Sequence, residues 1–391
     1  MPVWIRKNAG LVFALALNLY SLIRVTAETP VSRHYHLFVS AGKHLWQGLD
    51  PYEFDFQSVG YWFYSQAMGM FFYTPFGFLP ERAGLFFHMA LGSILFWLAL
   101  FRFLRMFFPD RQHGWFHAVL AIPVFQAVIN AKPELYLFAA LLFIFTEWAQ
   151  GRLLLSPVLA GIIVETKFQP LPFLGLALIP VLWTSRLFLA PVIALGSGLV
   201  FHFLPALFLG MEKFSNFEAH RSRSLSAFVE RAFLDFDNFF HALDSAGFRL
   251  SIQGASALTL LAGAAFAAFI LLRTLKKRPL LETLHFAGVL GSTFAFCFSP
   301  LGQNNASILA GFWLLHLTAL ALQKENRIIR AVSMPILFLF LFAYSSLFPH
   351  PIQTWFRTAS IKAWIMMASL IFVLAESTNL RLFRAESLKN P

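Results

Sequence analysis

Residues 187–209 read LFLAPVIALGSGLVFHFLPALFL, with no charged side chain among them. A membrane crossing needs about 20 mostly apolar residues, and this run meets that length unbroken. Working outward, the same texture returns at 9–26, 80–101, 114–129, 133–149, 153–166 and 168–184 on one side, and at 251–272, 280–298, 304–322, 331–348 and 361–376 on the other. Together these runs predict an all-α, polytopic membrane protein of about twelve transmembrane helices, a single integral membrane domain over 1–391. Several runs are close to the minimum length, and Arg82 lies inside the second.

Composition agrees. Of 391 residues, 58% are hydrophobic and only 13% are charged, about half the charge of a soluble protein. Phe alone contributes 49 residues. Soluble, disordered and fibrous classes are excluded. The single cysteine, Cys297, allows neither an internal disulfide nor a thiolate metal cluster.

The 30 Lys and Arg exceed the 19 Asp and Glu by 11. In a soluble chain that excess would suggest nucleic acid; here it reads as topology, and no nucleic-acid partner is expected. With the N-terminus inside, Arg6, Lys7, the 102–111 arginines, Arg152, Arg186, the 273–278 cluster, the 324–330 cluster and the C-terminal basic residues all fall on the cytoplasmic side. That side then carries the whole +11. Both termini are expected inside, which requires an even number of crossings. Arg6-Lys7 before an apolar run resembles the start of a signal peptide, but no small-residue cleavage site follows, so the first span reads as a retained anchor.

The connections are unequal. Cytoplasmic loops are short and basic, whereas two long outer segments, 27–79 and 210–250, hold most of the acidic, His and amide residues outside the spans. Function is expected on the outer face. Within the first segment, 31–47 (VSRHYHLFVSAGKHLWQ) reads as an amphipathic helix lying in the membrane interface, closed by Gly48 and a turn at Asp50-Pro51-Tyr52. The stretch 61–79 (YWFYSQAMGMFFYTPFGFL), interrupted by Gly and Pro, either dips into lipid as a lid or crosses it; the charge pattern favours the lid. Three His within 31–47, His34, His36 and His44, raise the question of a metal. Yet His34 and His36, two apart, point to different sides of a helix, and no carboxylate is near in sequence, so no metal is expected. Phe228 to Leu243 in the second segment reads as another interfacial helix.

His34-Tyr35-His36-Leu37-Phe38, then Ala41-Gly42, Leu45, Gly48 and Asp50-Pro51-Tyr52, resemble the first outer loop of glycosyltransferase family 87. These are polyprenyl-phosphate-mannose-dependent mannosyltransferases of the GT-C superfamily. Tyr73-Thr74-Pro75 through Pro80 is similar to that family's Tyr-Pro-Pro entry to its next span. Lys167-Phe168-Gln169-Pro170 resembles its Lys-x-x-Pro, and Ser299-Pro300 its late outer Ser-Pro. These motifs cover about 30–310 in order. The resemblance implies a GT-C-like fold and transfer of a hexose, mannose in the family, from a polyprenyl-phosphate donor to a lipid-linked or envelope glycan acceptor. It also implies a bacterial inner membrane with the active face outside, and neither cofactor nor metal. One position departs: where the family carries its catalytic Asp, this chain has His34.

An inverting transfer needs a base opposite the leaving group and positive charge beside the departing phosphate. Neutral imidazole can take the proton, so His34 is a candidate base; Glu28 or Asp50 is either recruited as the base in its place or stands beside it as charge partner. His36 and Tyr52 are candidates for positioning substrate. Lys167, with Gln169, is the candidate for the donor phosphate. Glu165 two residues earlier offers the plainer reading of an ion pair, or the lysine simply snorkels. Arg221 and Arg223 could fork a phosphate, or pair within their own acidic surroundings. Gln303 and Asn304 could read sugar hydroxyls or cap a helix. Asn130 to Glu134 reads as a hairpin closure whose Lys132 and Glu134 pair with each other. No Walker, Rossmann or zinc-protease motif is present. The competing class is a lipid or solute transporter, or an inactive scaffold of the same fold; a transporter would place polar residues at mid-depth, and here they gather at outer span ends.

Overall fold

The computed structural model describes residues 8–28, 32–52, 64–109, 113–152, 155–167, 169–185, 189–235, 239–248, 251–298, 308–322, 327–343 and 349–376. Among these, every regular element is helical. In chain order they are α1 (Ala9–Ala27), α2 (Arg33–Trp46), α3 (Glu81–Phe107), α4 (His113–Ile129), α5 (Glu134–Ala149), α6 (Leu155–Thr166), α7 (Leu171–Ser185), α8 (Leu189–Phe203), α9 (Met211–Asp235), α10 (Phe239–Ser245), α11 (Ile252–Leu275), α12 (Leu280–Thr293), α13 (Gly311–Ala321), α14 (Arg327–Phe342), α15 (His350–Thr358) and α16 (Ile361–Glu376).

Each of the expected apolar runs contains one of these helices, but they differ in reach. Ala9–Ala27, Glu81–Phe107, Leu189–Leu209, Gln253–Leu275 and Leu280–Phe298 are long and apolar enough to cross a membrane. A sixth crossing results if His350–Arg357 and Ile361–Leu374, bent by 63°, count as one. The 12 residues of α6 rise only about 18 Å, well short of a hydrocarbon core about 30 Å thick. On length and composition the chain is thus a membrane protein, with five to six full-length spans among the described residues and shorter apolar helices packed among them.

Packing sorts the helices. Every residue of α13 is buried, as is α12 from Glu282 onward, and Phe312 at their crossing packs against Phe103, Phe138, Phe145 and Phe173. In contrast, α8 and α11 are apolar yet expose Leu195, Val200, Leu260 and Leu261, the surface of helices whose solvent is lipid. Small residues bring neighbours close: a Cβ at Gly161 of α6 would lie 2.0 Å from the Ala194 carbonyl oxygen of α8.

The described parts of the two long segments, 27–79 and 210–250, pack against each other. α2 forms where the amphipathic reading placed it and ends at Gly48, whose φ of +70° suits glycine. Its apolar face, Phe38, Ala41 and Leu45, is buried against Met68–Tyr73, a π-helical stretch. Phe38 stacks on Tyr73 at 4.3 Å, and Trp46 donates to the Met70 carbonyl at 3.1 Å. With Thr74–Gly77 this stretch continues through Pro80 into α3; residues 61–63, where the expected stretch begins, lie outside the described residues. The second segment is helical from Met211, well before the expected start at Phe228, because Phe214 and Phe217 anchor its first turns.

Candidate active site

Four elements meet where α2 begins. The hairpin between α4 and α5 turns at Ala131, which takes the left-handed conformation at φ +49° although it carries a side chain. Such strain persists only where surrounding structure enforces it. Here it turns Lys132 and Glu134 inward, 5% and 2% exposed. Ser32, just ahead of α2, lies 3.5 Å from the Asn130 carbonyl and ties the start of α2 to this hairpin.

Lys167 reaches the same place from the end of α6. Its Nζ donates to Glu134 Oε1 at 2.6 Å, and both side chains are buried. Burial disfavours the ammonium, but the Glu134 carboxylate outweighs it and holds the Lys167 pKa above its ordinary value. Glu134 thus pairs across helices with Lys167, and its charge also acts on Lys132 within the hairpin. Glu165, the sequence neighbour, turns instead to His202 of α8, Oε1 to Nδ1 2.9 Å, where the Gly161 crossing brings the two helices together. The Tyr64 ring lies over Lys167 at 5.4 Å, and Tyr52 donates its hydroxyl to the Tyr64 carbonyl at 2.8 Å.

His34 stands half-buried on the first turn of α2. Burial lowers its pKa; Lys132 and Lys167 act in the same direction, and Glu134 opposes them. Among the described residues, the carboxylate that acts on His34 is Glu134. Glu28 is exposed at the end of α1 and paired with Arg24 at 2.8 Å. Asp50 accepts the Tyr52 backbone N–H at 2.9 Å and pairs with His220 of α9. His36, two residues beyond His34, faces away and meets Glu81 at 3.2 Å.

The remaining candidates divide. Gln169 is buried just before α7. Arg221 is buried on α9, donates to Glu218 at 2.9 Å and lies 3.9 Å from Glu165. Glu218 also accepts from Gln66 at 2.8 Å, so α9 is strapped to both the 64–77 segment and α6. Arg223 is exposed on the same helix. Gln303, Asn304 and the Ser299-Pro300 motif lie outside the described residues. Among the described residues, no group of three or more His, Cys, Asp or Glu is placed to hold a metal.

Chemically, the centre is a buried cluster of two lysines and one carboxylate, with an imidazole beside it. The N-termini of α2 and α5 open onto it, adding the positive ends of their dipoles. Such a place suits an anion that gains charge. Lys132 and Glu134 are the residues the sequence underrated. Their only signal was a Lys-Pro-Glu run between two apolar spans, a pattern that ordinary hairpins share.

A family model described as glycosyltransferase family 87 matches residues 62–300, more than half of the chain. The chain belongs to glycosyltransferase family 87. As a family 87 member it is a membrane glycosyltransferase. Lys132, Glu134, Lys167, Gln169 and Arg221 lie within the family 87 match, whereas Glu28, His34, Asp50 and Tyr52 precede it. Neither a curated protein nor a solved structure matches the chain.

Proposed function

We propose that this glycosyltransferase moves a hexose, mannose by family resemblance, from a polyprenyl-phosphate donor to a lipid-linked or envelope glycan acceptor. The reaction takes place at the outer face of a bacterial inner membrane, with both termini in the cytoplasm, on a GT-C-like scaffold. The observation that carries this reading is the buried Lys132–Glu134–Lys167 cluster at the start of α2.

The acceptor hydroxyl oxygen bonds to the anomeric carbon as the bond from that carbon to the phosphate oxygen breaks, and the electron pair leaves with the phosphate. A sugar phosphodiester carries one negative charge and the departing monoester two. Lys132 and Lys167 against Glu134 leave one surplus positive charge to meet that gain, in a buried setting where charge interactions are strong. The acceptor's proton passes to His34, which its surroundings keep neutral and able to receive it. Once protonated, His34 is balanced by Glu134, so the base and the phosphate site share one carboxylate. Tyr52, bonded to the Tyr64 carbonyl beside Lys167, and Gln169, two residues beyond Lys167, position substrate; Arg221 braces α9 against α6.

The test is sugar transfer from polyprenyl-phosphate-mannose by the full-length protein in nanodiscs, with His34→Ala and Lys167→Met beside it. The expected result is transfer by the wild type, lost in His34→Ala, and weakened donor binding in Lys167→Met. Donor binding unchanged in Lys167→Met removes the cluster from the phosphate site. A folded wild type that binds lipid-linked donors and transfers nothing favours the transporter or scaffold alternative.

A further inference from the structure

α2 has a second working face. Tyr35, His36, Val39, Ser40 and Lys43 follow one another at helical spacing and, with Gly77, Leu79 and Glu81, enclose a pocket of about 270 Å³. That is just under the volume of about 300 Å³ at which sites for small organic ligands begin, which is the scale of one ring. His34 lies on the other side of the helix, among Lys132, Glu134 and Lys167. The pocket is thus separate from the proposed transfer site and carried by the same rigid element.

Its walls are fixed by close packing. Tyr35 is 1% exposed, and a Cβ at Gly84 would lie 2.4 Å from its hydroxyl, so the Tyr35 ring is pressed between α2 and the first turn of α3. That hydroxyl is buried and has no hydrogen-bond partner among the described residues. A Cβ at Gly77 would lie 2.5 Å from Val39 and 3.1 Å from the Lys43 Cε, so glycine lets the Lys43 stem lie flat across the turn. His36 and Glu81 face each other at 3.2 Å, each about half exposed at the rim.

We infer that this pocket binds a sugar ring of the acceptor, a unit remote from the hydroxyl that reacts. The inference rests on the reading that the acceptor is a glycan. The lining mixes a carboxylate, an imidazole, a hydroxyl and an ammonium, which offers both donors and acceptors to neighbouring ring hydroxyls. Val39, Leu79 and Gly77 supply the apolar wall that the C–H face of a sugar covers. A phosphate fits less well, because the Glu81 carboxylate shares the space with the only lysine lining it. The consequence is specificity: a remote unit held here spends its binding on orienting the acceptor.

The experiment is equilibrium dialysis of radiolabelled mannotriose, and separately maltotriose, against the full-length protein in nanodiscs. Ser40→Leu fills the pocket, Glu81→Gln removes its carboxylate charge, and Lys167→Met disables the proposed donor site. Helical circular dichroism of each variant checks folding. The expected result is saturable binding of at least one trisaccharide, lost in Ser40→Leu, weakened about tenfold in Glu81→Gln and unchanged in Lys167→Met. Binding of neither trisaccharide overturns the inference, as does binding indifferent to both Ser40→Leu and Glu81→Gln. Displacement by inorganic phosphate or by phosphatidylglycerol vesicles also overturns it, by assigning the pocket to an anion, free or on a lipid respectively. If the expected pattern holds while the wild type transfers no sugar, it is the reading of the reaction that fails and the pocket that stands.

Discussion

Glu134 is the residue on which the central cluster depends, and replacing it with glutamine isolates the reason. Glu134→Gln keeps the shape and removes the only carboxylate whose pairing with Lys167 is buried, at 2.6 Å and with the two side chains 3% and 7% exposed. Lys132, also buried, loses the same counter-charge. Breaking a buried ion pair from one side costs about 3–5 kcal/mol, mostly because the surviving charge is left uncompensated. Lys167→Met alone leaves Glu134 with Lys132 and is expected to cost less. In the double variant the Lys167 charge is gone as well, so its loss should fall short of the summed single losses by about 2–3 kcal/mol. Unfolding of the protein in mixed micelles, titrated with sodium dodecyl sulfate and followed by tryptophan fluorescence, measures all three variants. Single losses below about 1 kcal/mol, or a double loss equal to the sum of the singles, would refute the claim that this pair is buried and mutually dependent.

Two further outcomes are expected. Because burial and the two lysines hold the His34 pKa below 6.5, its neutral form persists in the folded protein to more acid pH than in a free imidazole. The acid limb of kcat/KM should fall below pH 6.5, and the His34 contribution to stability should be full above that value and lost as pH drops through the folded pKa. A pH–rate profile with its acid limb at or above 6.5 would count against this environment for the base. Gly42→Ala places a Cβ 2.0 Å from Thr74 Oγ1 and 2.3 Å from the Gly69 carbonyl oxygen, so α2 must lift from the π-helical stretch. The expected cost is about 1–3 kcal/mol in the same micelle titration, and a neutral result would mean that α2 is not seated there.

What the sequence disclosed follows from the range of each interaction. Apolar runs and their basic flanks are local, so the helices emerge close to where the composition places them; α2 and its Gly48 stop are legible from aromatic spacing and one glycine. The number of crossings was less legible, because an apolar run of 12 residues such as α6 serves as well for a helix buried in protein as for one in lipid. Lys167 was visible as an ion at the outer end of an apolar run. Its partner was not, since Glu165 is two residues away in sequence and Glu134 is thirty-three. What selects Glu134 is the Ala131 turn and the approach of α5 to α6, neither of which leaves a local mark. His202 was hidden for the same reason: within its apolar run it reads as a solitary polar residue, and only the crossing of α6 and α8 at Gly161 gives it Glu165.

The histidine at position 34 acquires a rationale from this geometry. A carboxylate base supplies two things at once, a proton acceptor and a negative charge near the reacting carbon. In this chain the proposed reading divides them between His34 on α2 and Glu134 at the start of α5. Dividing them has a physical consequence, because Glu134 is held by Lys167 and so keeps its charge when His34 takes a proton. A single aspartate would become neutral on accepting that proton and lose its hold on the cationic centre. With the charge fixed elsewhere, Lys167 remains paired throughout the step, and the site gains positive charge at the base while the phosphate gains negative charge beside it. Restoring aspartate at 34 then places a second carboxylate against Glu134 in a buried site, where like charges raise one another's pKa. His34→Asp is accordingly expected to shift the acid limb of activity. That shift should disappear in the His34→Asp/Glu134→Gln pair, and an acid limb unmoved between the two would mean that Glu134 does not act on position 34.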